Sequence, residues 1–167
     1  FESVLHKYQA KFVLDCFSGI GTIHALPFKT IGVEIEPEWA RLSSGNIVGD
    51  ATMLPFVESS FDAICTSPTY GNRMADSHNA KDNSTRNTYT HKLGRKLNKG
   101  NRGCLQWGKD YKKIHKKAWQ ECYRVLKEGG ILILNFKNHI RKGLEGDGFS
   151  WHVKTLIDYG FKLREVL

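Results

Sequence analysis

LDCFSGIGT, residues 14–22, begins as an apolar strand and breaks into a turn of small residues. Residues 11–16 read as the strand, and Ser18, Gly19 and Gly21 form the turn. Glycine there lets the backbone approach a ligand without a Cβ in the way. A lone G-x-G is common in tight turns, so its meaning depends on the rest of the chain. Further strands are expected over residues 30–35, at Ile47 and Val48, and over 61–66, 131–136 and 161–167. Helical segments are expected over 22–26, stopped near Pro27, over 37–44 with Pro37 in the first turn, and over 111–127 and 151–159. The third of these carries an apolar stripe, Ile114, Ala118, Cys122, Val125 and Leu126, with Gly129 and Gly130 as its stop. Strands alternating with helices predict an α/β fold, with βαβ units, a mostly parallel sheet and helices on both faces. In such sheets ligands gather beyond the carboxyl ends of the strands, where strand order reverses.

The chain has 167 residues, enough for one domain with its own core, and residues 1–167 are expected to form a single unit. The longest apolar run, ILIL at 131–134, is strand-sized, and no secretory leader is read, so a cytoplasmic protein is expected. The chain opens on Phe1 rather than Met, which leaves a truncated N-terminus open. Its four cysteines make no C-x-x-C pair, and its seven histidines have no metal-ligand spacing, so neither a metal nor a disulfide framework is expected. The formal charge of +8 is concentrated. Residues 71–117 hold thirteen Lys and Arg against three acids. Such a block favours an anionic partner, nucleic acid first. Residues 71–110 show no sustained period and read as a long basic loop, of the kind that is functional when it interrupts a compact domain.

Three features stand at the ends of three successive strands. After the first comes the glycine turn; after the second, Glu34, a carboxylate able to accept hydrogen bonds from both hydroxyls of a ribose. After the third comes Asp50, placed to receive an adenine amino group, with Ile35 and Met53 available for the two faces of the ring. His24 replaces the third glycine of a dinucleotide fingerprint, and the first crossover is short. A pyrophosphate needs the N-terminus of a good helix. A nucleoside without phosphates does not.

In order, LDCFSGIGT, GVEIEP (32–37), GDATMLPF (49–56) and TSPTYG (66–71) resemble motifs I to IV of the class I S-adenosylmethionine-dependent methyltransferases. YRVLKEGGILIL (123–134) resembles the helix–GG–strand stretch in the second half of that fold. The resemblance covers most of the chain outside the basic loop and implies a Rossmann-like class I fold with S-adenosyl-L-methionine as cofactor. It would place Phe17, Ser18, Gly19 and Gly21 on the methionine part, Glu34 at the ribose, and Asp50 with Ala51 at the adenine. Asp15, within the first motif, and Thr66, which opens the fourth, are included in the expected cofactor site.

SPTY (67–70) resembles the D/N/S-P-P-Y/F motif of enzymes that methylate amino nitrogens, above all DNA cytosine-N4 and adenine-N6 methyltransferases. The lone pair of an exocyclic amine is delocalised into the base and nucleophilically poor. Two acceptors aimed at its N–H bonds, the Ser67 hydroxyl and the Pro68 carbonyl, would localise it. Proline stiffens the turn. Tyr70 offers a face on which an extruded base stacks. Serine in the first position points to cytosine N4 ahead of adenine N6, whereas Thr69 stands where the family has a second proline.

No large recognition domain is read after this motif, and the basic loop is expected to take its place. Arg73, Arg86, Lys92, Arg95, Lys96 and Arg102 are candidate phosphate contacts, Asn72 is a further candidate nucleic-acid contact, and Tyr89 and Trp107 either stack on bases or pin the loop to the body. Lys137, Asn138 and His139, after the fifth strand, form a second candidate wall beside the target. RNTYTH (86–91) and QWG (106–108) resemble the corresponding region of phage and actinobacterial DNA methylases. The expected substrate is DNA. An RNA base, a protein glutamine as in release-factor-modifying enzymes, and a catalytically inactive nucleic-acid-binding module stay open as alternatives.

Overall fold

The structure, a computed structural model, describes residues 1–71, 88–138, 140–141 and 144–167. Its centre is a five-stranded parallel sheet in the order β3-β2-β1-β4-β5. The strands are β1 (Phe12–Asp15), β2 (Lys29–Glu34), β3 (Asn46–Val48), β4 (Phe61–Thr66) and β5 (Leu126–Leu134). Among the described residues five α-helices accompany them: α1 (Glu2–Lys7), α2 (Pro37–Ala40), α3 (Tyr89–Leu93), α4 (Lys109–Val125) and α5 (Gly148–Asp158). A two-stranded antiparallel ladder, β6 (Ile140–Arg141) with β7 (Leu144–Glu145), precedes α5.

β1 and β4 lie in the middle of the sheet and are covered on both faces, which is why they read as unbroken apolar runs. Alternate residues feed two cores. Leu14, Val33 and Ile64 point to the face covered by Ala118, Trp119 and Cys122 of α4. Val13, Ala63 and Cys65 point to the other face, against Leu5 of α1 and Ile23. β1 pairs with β2 on one side and β4 on the other, so the direction of winding reverses there. That reversal opens a crevice beyond the ends of β1, β2 and β4.

Several boundaries differ from expectation. The helix expected over 111–127 ends at Val125, and the chain passes straight into β5 at Leu126. Gly129, with φ +74°, belongs to an irregularity where Phe61 pairs with Leu126 but Ala63 pairs with Ile131. Its left-handed backbone thus serves a bulge rather than a helix stop. The helix expected over 37–44 is a single turn. α1 was not expected at all. Residues 161–167 form no strand: they have no ladder partner among the described residues, and Leu163 and Val166 are exposed. Lys7 fastens that tail to α1 through Glu165 at 3.0 Å. Of the long loop expected over 71–110, the described residues from 88 onward carry α3 and a 3₁₀ turn at Arg102–Cys104. α3 begins at Thr88, whose hydroxyl accepts from His91 N, and stops at Gly94. Its five residues are too few to show a period.

Candidate functional site

The turn after β1 is locked from three sides. Asp15 Oδ1 accepts from the Phe17 amide at 3.0 Å and from the Thr66 hydroxyl at 2.6 Å, tying the end of β1 to the end of β4. Burial pushes the Asp15 carboxyl up to about 6, partly offset by those two donors. Asn46, at the start of β3, gathers the rest. Its Oδ1 meets the Ser18 hydroxyl at 2.7 Å and His24 Nε2 at 2.9 Å, and its amide donates to the Gly19 carbonyl at 3.1 Å. His24 occupies the third glycine position of the fingerprint and here acts as a clamp. Gly21 must be glycine: its φ is +87°, and a Cβ would sit 2.6 Å from Ser43 Cβ.

The two acids of GVEIEP divide the work. Glu34 ends β2 and lies in the crevice wall. Oε2 accepts from the Gly19 amide at 2.8 Å and Oε1 from the Glu36 amide at 2.8 Å, so two turns aim one carboxylate. Burial raises its pKa, against the pull of these amides. Glu36 is 0% exposed and faces the other way. Its carboxylate accepts from Arg95 Nη2 at 2.8 Å, the Asn98 amide at 2.8 Å, Asn98 Nδ2 at 3.0 Å and Asn101 Nδ2 at 2.9 Å. Arg95 also grips Glu38 with Nε and Nη2 and holds that carboxyl down at about 2. This anchor lays residues 95–102 across the crevice. Gly100 permits the approach, since a Cβ there would lie 2.5 Å from Ile35 Cδ1.

The result is a cavity of about 300 Å³ shared by both parts of the chain. One wall carries Phe17, Ser18, Gly19, Glu34, Ile35, Asp50 and Ala51. The other carries Tyr89, Lys92 and Arg102 from the basic segment. Arg102 Nη2 meets Asp50 Oδ2 at 3.0 Å, while Asp50 Oδ1 accepts from the amide and hydroxyl of Thr52. Tyr89 stands edge-on to Trp39 at 5.2 Å between ring centroids. Met53, expected on one face of the bound ring, is 77% exposed and lies outside the cavity lining. A second cavity of about 320 Å³ adjoins the first, with Asp15, Thr66 and Phe1 in its lining.

Ser67 lines both cavities. Its hydroxyl lies 2.9 Å from the Tyr70 hydroxyl. Tyr70 packs edge-on against Phe136 at 5.2 Å. Pro68 is buried. Behind the turn, Tyr111 Oη donates to the Thr69 carbonyl at 2.6 Å and lies 3.1 Å from His152 Nε2. Trp119 Nε1 donates to His152 Nδ1 at 3.0 Å, so the proton of a neutral His152 is on Nε2, directed at Tyr111. Burial holds His152 neutral, with its pKa pushed down to about 3, and likewise His115 at about 4. A chain of hydrogen bonds thus runs from the core to the backbone of SPTY.

The expected nucleic-acid contacts divide. Arg95 and Arg102 are turned inward onto Glu36, Glu38 and Asp50. Lys92 is in the cavity lining, and Lys96 and Lys137 are exposed. Trp107 packs on Trp151 and Tyr111, with its amide donating to the Gly71 carbonyl at 2.7 Å. Asn138 Oδ1 accepts from the Phe149 amide at the start of α5. Asn72, Arg73, Arg86 and His139 lie outside the described residues. Sequence reasoning missed Glu36, Asn46, Asn101, Tyr111 and His152. The second acid in EIEP was the one available signal. Among the described residues there is no group of three or more acids, histidines and cysteines that could hold a metal, and no helix long and apolar enough to cross a membrane.

Neither a protein-family model nor a curated protein matches the sequence. Solved structures do. A SAM-dependent methyltransferase from Aquifex aeolicus gives a TM-score of 0.57 at 17% identity, over 99% of this chain and 81% of its own. A TehB-like SAM-dependent methyltransferase from Corynebacterium glutamicum gives 0.55 at 17% identity, over 98% and 73%. The PH0226 protein of Pyrococcus horikoshii gives 0.52 at 22% identity, over 82% of this chain and 55% of its own, so this chain spans little more than half of that protein. With its parallel five-stranded sheet, helices on both faces and crevice at the β1/β4 reversal, the chain has the Rossmann-like class I fold of S-adenosylmethionine-dependent methyltransferases.

Proposed function

We propose that the chain binds S-adenosyl-L-methionine in the cavity between β1–β3 and residues 89–102, and methylates an exocyclic amino nitrogen of a DNA base, cytosine N4 ahead of adenine N6. One observation carries the reading: Ser67, with Tyr70 2.9 Å away, lines the same cavity as Gly19, Glu34 and Asp50. A fold alone does not assign chemistry, so the site must.

The residues present suit the cofactor. Glu34 is a buried carboxylate already aimed by two amides, with acceptor capacity left for a pair of hydroxyls. The backbone of residues 17–21 comes close without side-chain obstruction at Gly19. Asp50 and the Ile35 side chain border the opposite end. The cavity is at the lower end of the range for small-molecule sites. When bound, the cofactor supplies an electrophilic methyl group.

The chain's own part is positioning. The Ser67 hydroxyl accepts one N–H of the target amine and the Pro68 carbonyl accepts the other. Among the described residues no donor is bonded to the Pro68 carbonyl, whereas the neighbouring Thr69 carbonyl is held by Tyr111. The turn is therefore fixed at one carbonyl and open at the next. Tyr70, braced by Phe136, supports the base. Bringing the amine to a fixed place accounts for much of the rate gain in such a site.

The test is incubation with methyl-labelled cofactor and DNA, RNA or peptide, followed by mass spectrometry of the products. N4-methylcytosine or N6-methyladenine from DNA is the expected result. Label in RNA or glutamine alone, or none in any polymer, would overturn the substrate assignment.

A further inference from the structure

Five lysines occupy one arc of the first half of α4. Lys109, Lys112, Lys113, Lys116 and Lys117 fall at i, i+3, i+4, i+7 and i+8, while Tyr111, His115, Ala118 and Trp119 fill the buried arc. Lys109, Lys113, Lys116 and Lys117 are exposed. Among the described residues no carboxylate pairs with any of the five. Lys112 lies over the rings of Trp107 at 4.9 Å and Trp151 at 5.7 Å. The second half of the same helix differs: there Arg124 is paired with Glu121 at 2.7 Å.

A merely solvated helix face would not be arranged this way. The i, i+4 pairs 109/113, 112/116 and 113/117 repel one another. The stripe begins at the helix N-terminus, where the macrodipole disfavours cations. Gly108, the N-cap, gives no side-chain hydrogen bond, and Asp110 is the one acid in the first turn to offset this. Each of these costs helix stability, and an anionic partner on that face would offset all of them.

The stripe is also well placed. Tyr111, on the buried side of the first turn of α4, holds the Thr69 carbonyl, and Trp107 just before the helix holds Gly71. From Lys109 to Lys117 the axis advances about 12 Å at ~1.5 Å per residue. Measured along the duplex axis, that length matches roughly three to four phosphates of one strand at ~3.4 Å each. A lipid surface fits less well, because the apolar face of α4 is enclosed in the core and has nothing to insert.

We infer that this lysine stripe is the clamp that grips the backbone of a DNA duplex while a base is presented to Ser67 and Tyr70. The inference rests on the reading given under Proposed function and locates its substrate on α4, in place of the inward-turned Arg95 and Arg102.

The test uses the triple variant Lys109→Gln/Lys113→Gln/Lys116→Gln and fluorescence anisotropy with a short DNA duplex across a salt series. Its melting temperature should be unchanged or raised, because repulsion is removed. The slope of log affinity against log salt should fall by about 2.7, each lysine contributing some 0.9. Cofactor affinity should stay the same by calorimetry. An unchanged slope would overturn the clamp while leaving methyl transfer by the wild-type chain intact. Tighter wild-type binding to RNA or to anionic vesicles than to the duplex would overturn it as well. A reduced slope in the variant, together with a wild-type chain that methylates no nucleic acid, would support the clamp and sink the functional reading instead.

Discussion

Glu34 and Glu36 stand two residues apart, both buried, and serve opposite purposes. Glu34 is aimed by backbone amides of neighbouring turns and keeps acceptor capacity toward the cavity. Glu36 is saturated by side chains and an amide from residues 95–101, about sixty positions along the chain. One carboxylate keeps lone pairs open toward the cavity; the other has spent its own on the fold. The basic segment is therefore part of the cavity's construction and not only a surface for a polyanion. Burial of an acid does not by itself mark a ligand site. The donors facing it decide.

The contrast is most vulnerable at Glu36. Glu36→Ala should destabilise the fold by about 3 kcal/mol in chemical denaturation, the scale for opening a buried charged network. Amide exchange over 88–104 should accelerate at the same time. If stability is unchanged, the segment is not anchored there. Glu34→Gln should shift the balance the other way, costing about 1–2 kcal/mol of stability because one of its two amide acceptors becomes a donor, while weakening cofactor binding tenfold or more by calorimetry. Parallel losses in the two variants would erase the distinction.

Acid should reveal the core behind the SPTY turn. His115 and His152 are held neutral at about 4 and about 3, below the ordinary histidine value, so the unfolded chain takes up more protons as pH falls below 6.5. Their contribution is complete above that value. It is lost at about 1.4 kcal/mol per pH unit for each histidine as pH drops toward the folded values. Asp15, raised to about 6, acts with the opposite sign from the ordinary carboxylate value up to about 6 and offsets roughly one histidine there. Denaturation midpoints across this range should therefore decline toward acid, and His152→Gln should flatten the decline.

Tyr111→Phe should be the mildest of these changes. Removing the donor to the Thr69 carbonyl should cost about 1 kcal/mol of stability. Turnover should fall several-fold with cofactor affinity unchanged, because the loss acts through the placement of the SPTY backbone. A change in affinity with constant turnover would remove Tyr111 from that role.

Glu34, Asp50 and Ser67 were legible because each sits at the end of a strand with its own short apolar signature. The parallel sheet then delivers all three to one edge. Phe61–Thr66 announced β4 in the same way, as a run apolar enough to be buried on both faces. Glu36, Asn46 and Tyr111 were not legible, since their partners lie at separations such as 62 and 42 residues and leave no local pattern. The charges of Arg95 and Arg102 were visible, but their direction was not. Net charge states how many cations a segment has, and only packing states which acids have claimed them. The tail 161–167 shows the converse error: Phe161, Leu163, Val166 and Leu167 suggest a strand, yet a strand needs a neighbour, and among the described residues none pairs with it.

Whether one cavity holds the cofactor while the Ser67–Tyr70 turn presents an amine to it is decided by Ser67→Ala. Single-turnover transfer of labelled methyl to DNA and cofactor affinity should be measured on the same preparation. At least a hundredfold slower transfer is predicted, a loss of about 2.7 kcal/mol in transition-state stabilisation, with an unchanged dissociation constant. Transfer at the wild-type rate, or a loss of affinity as large as the loss of rate, would contradict that division of roles.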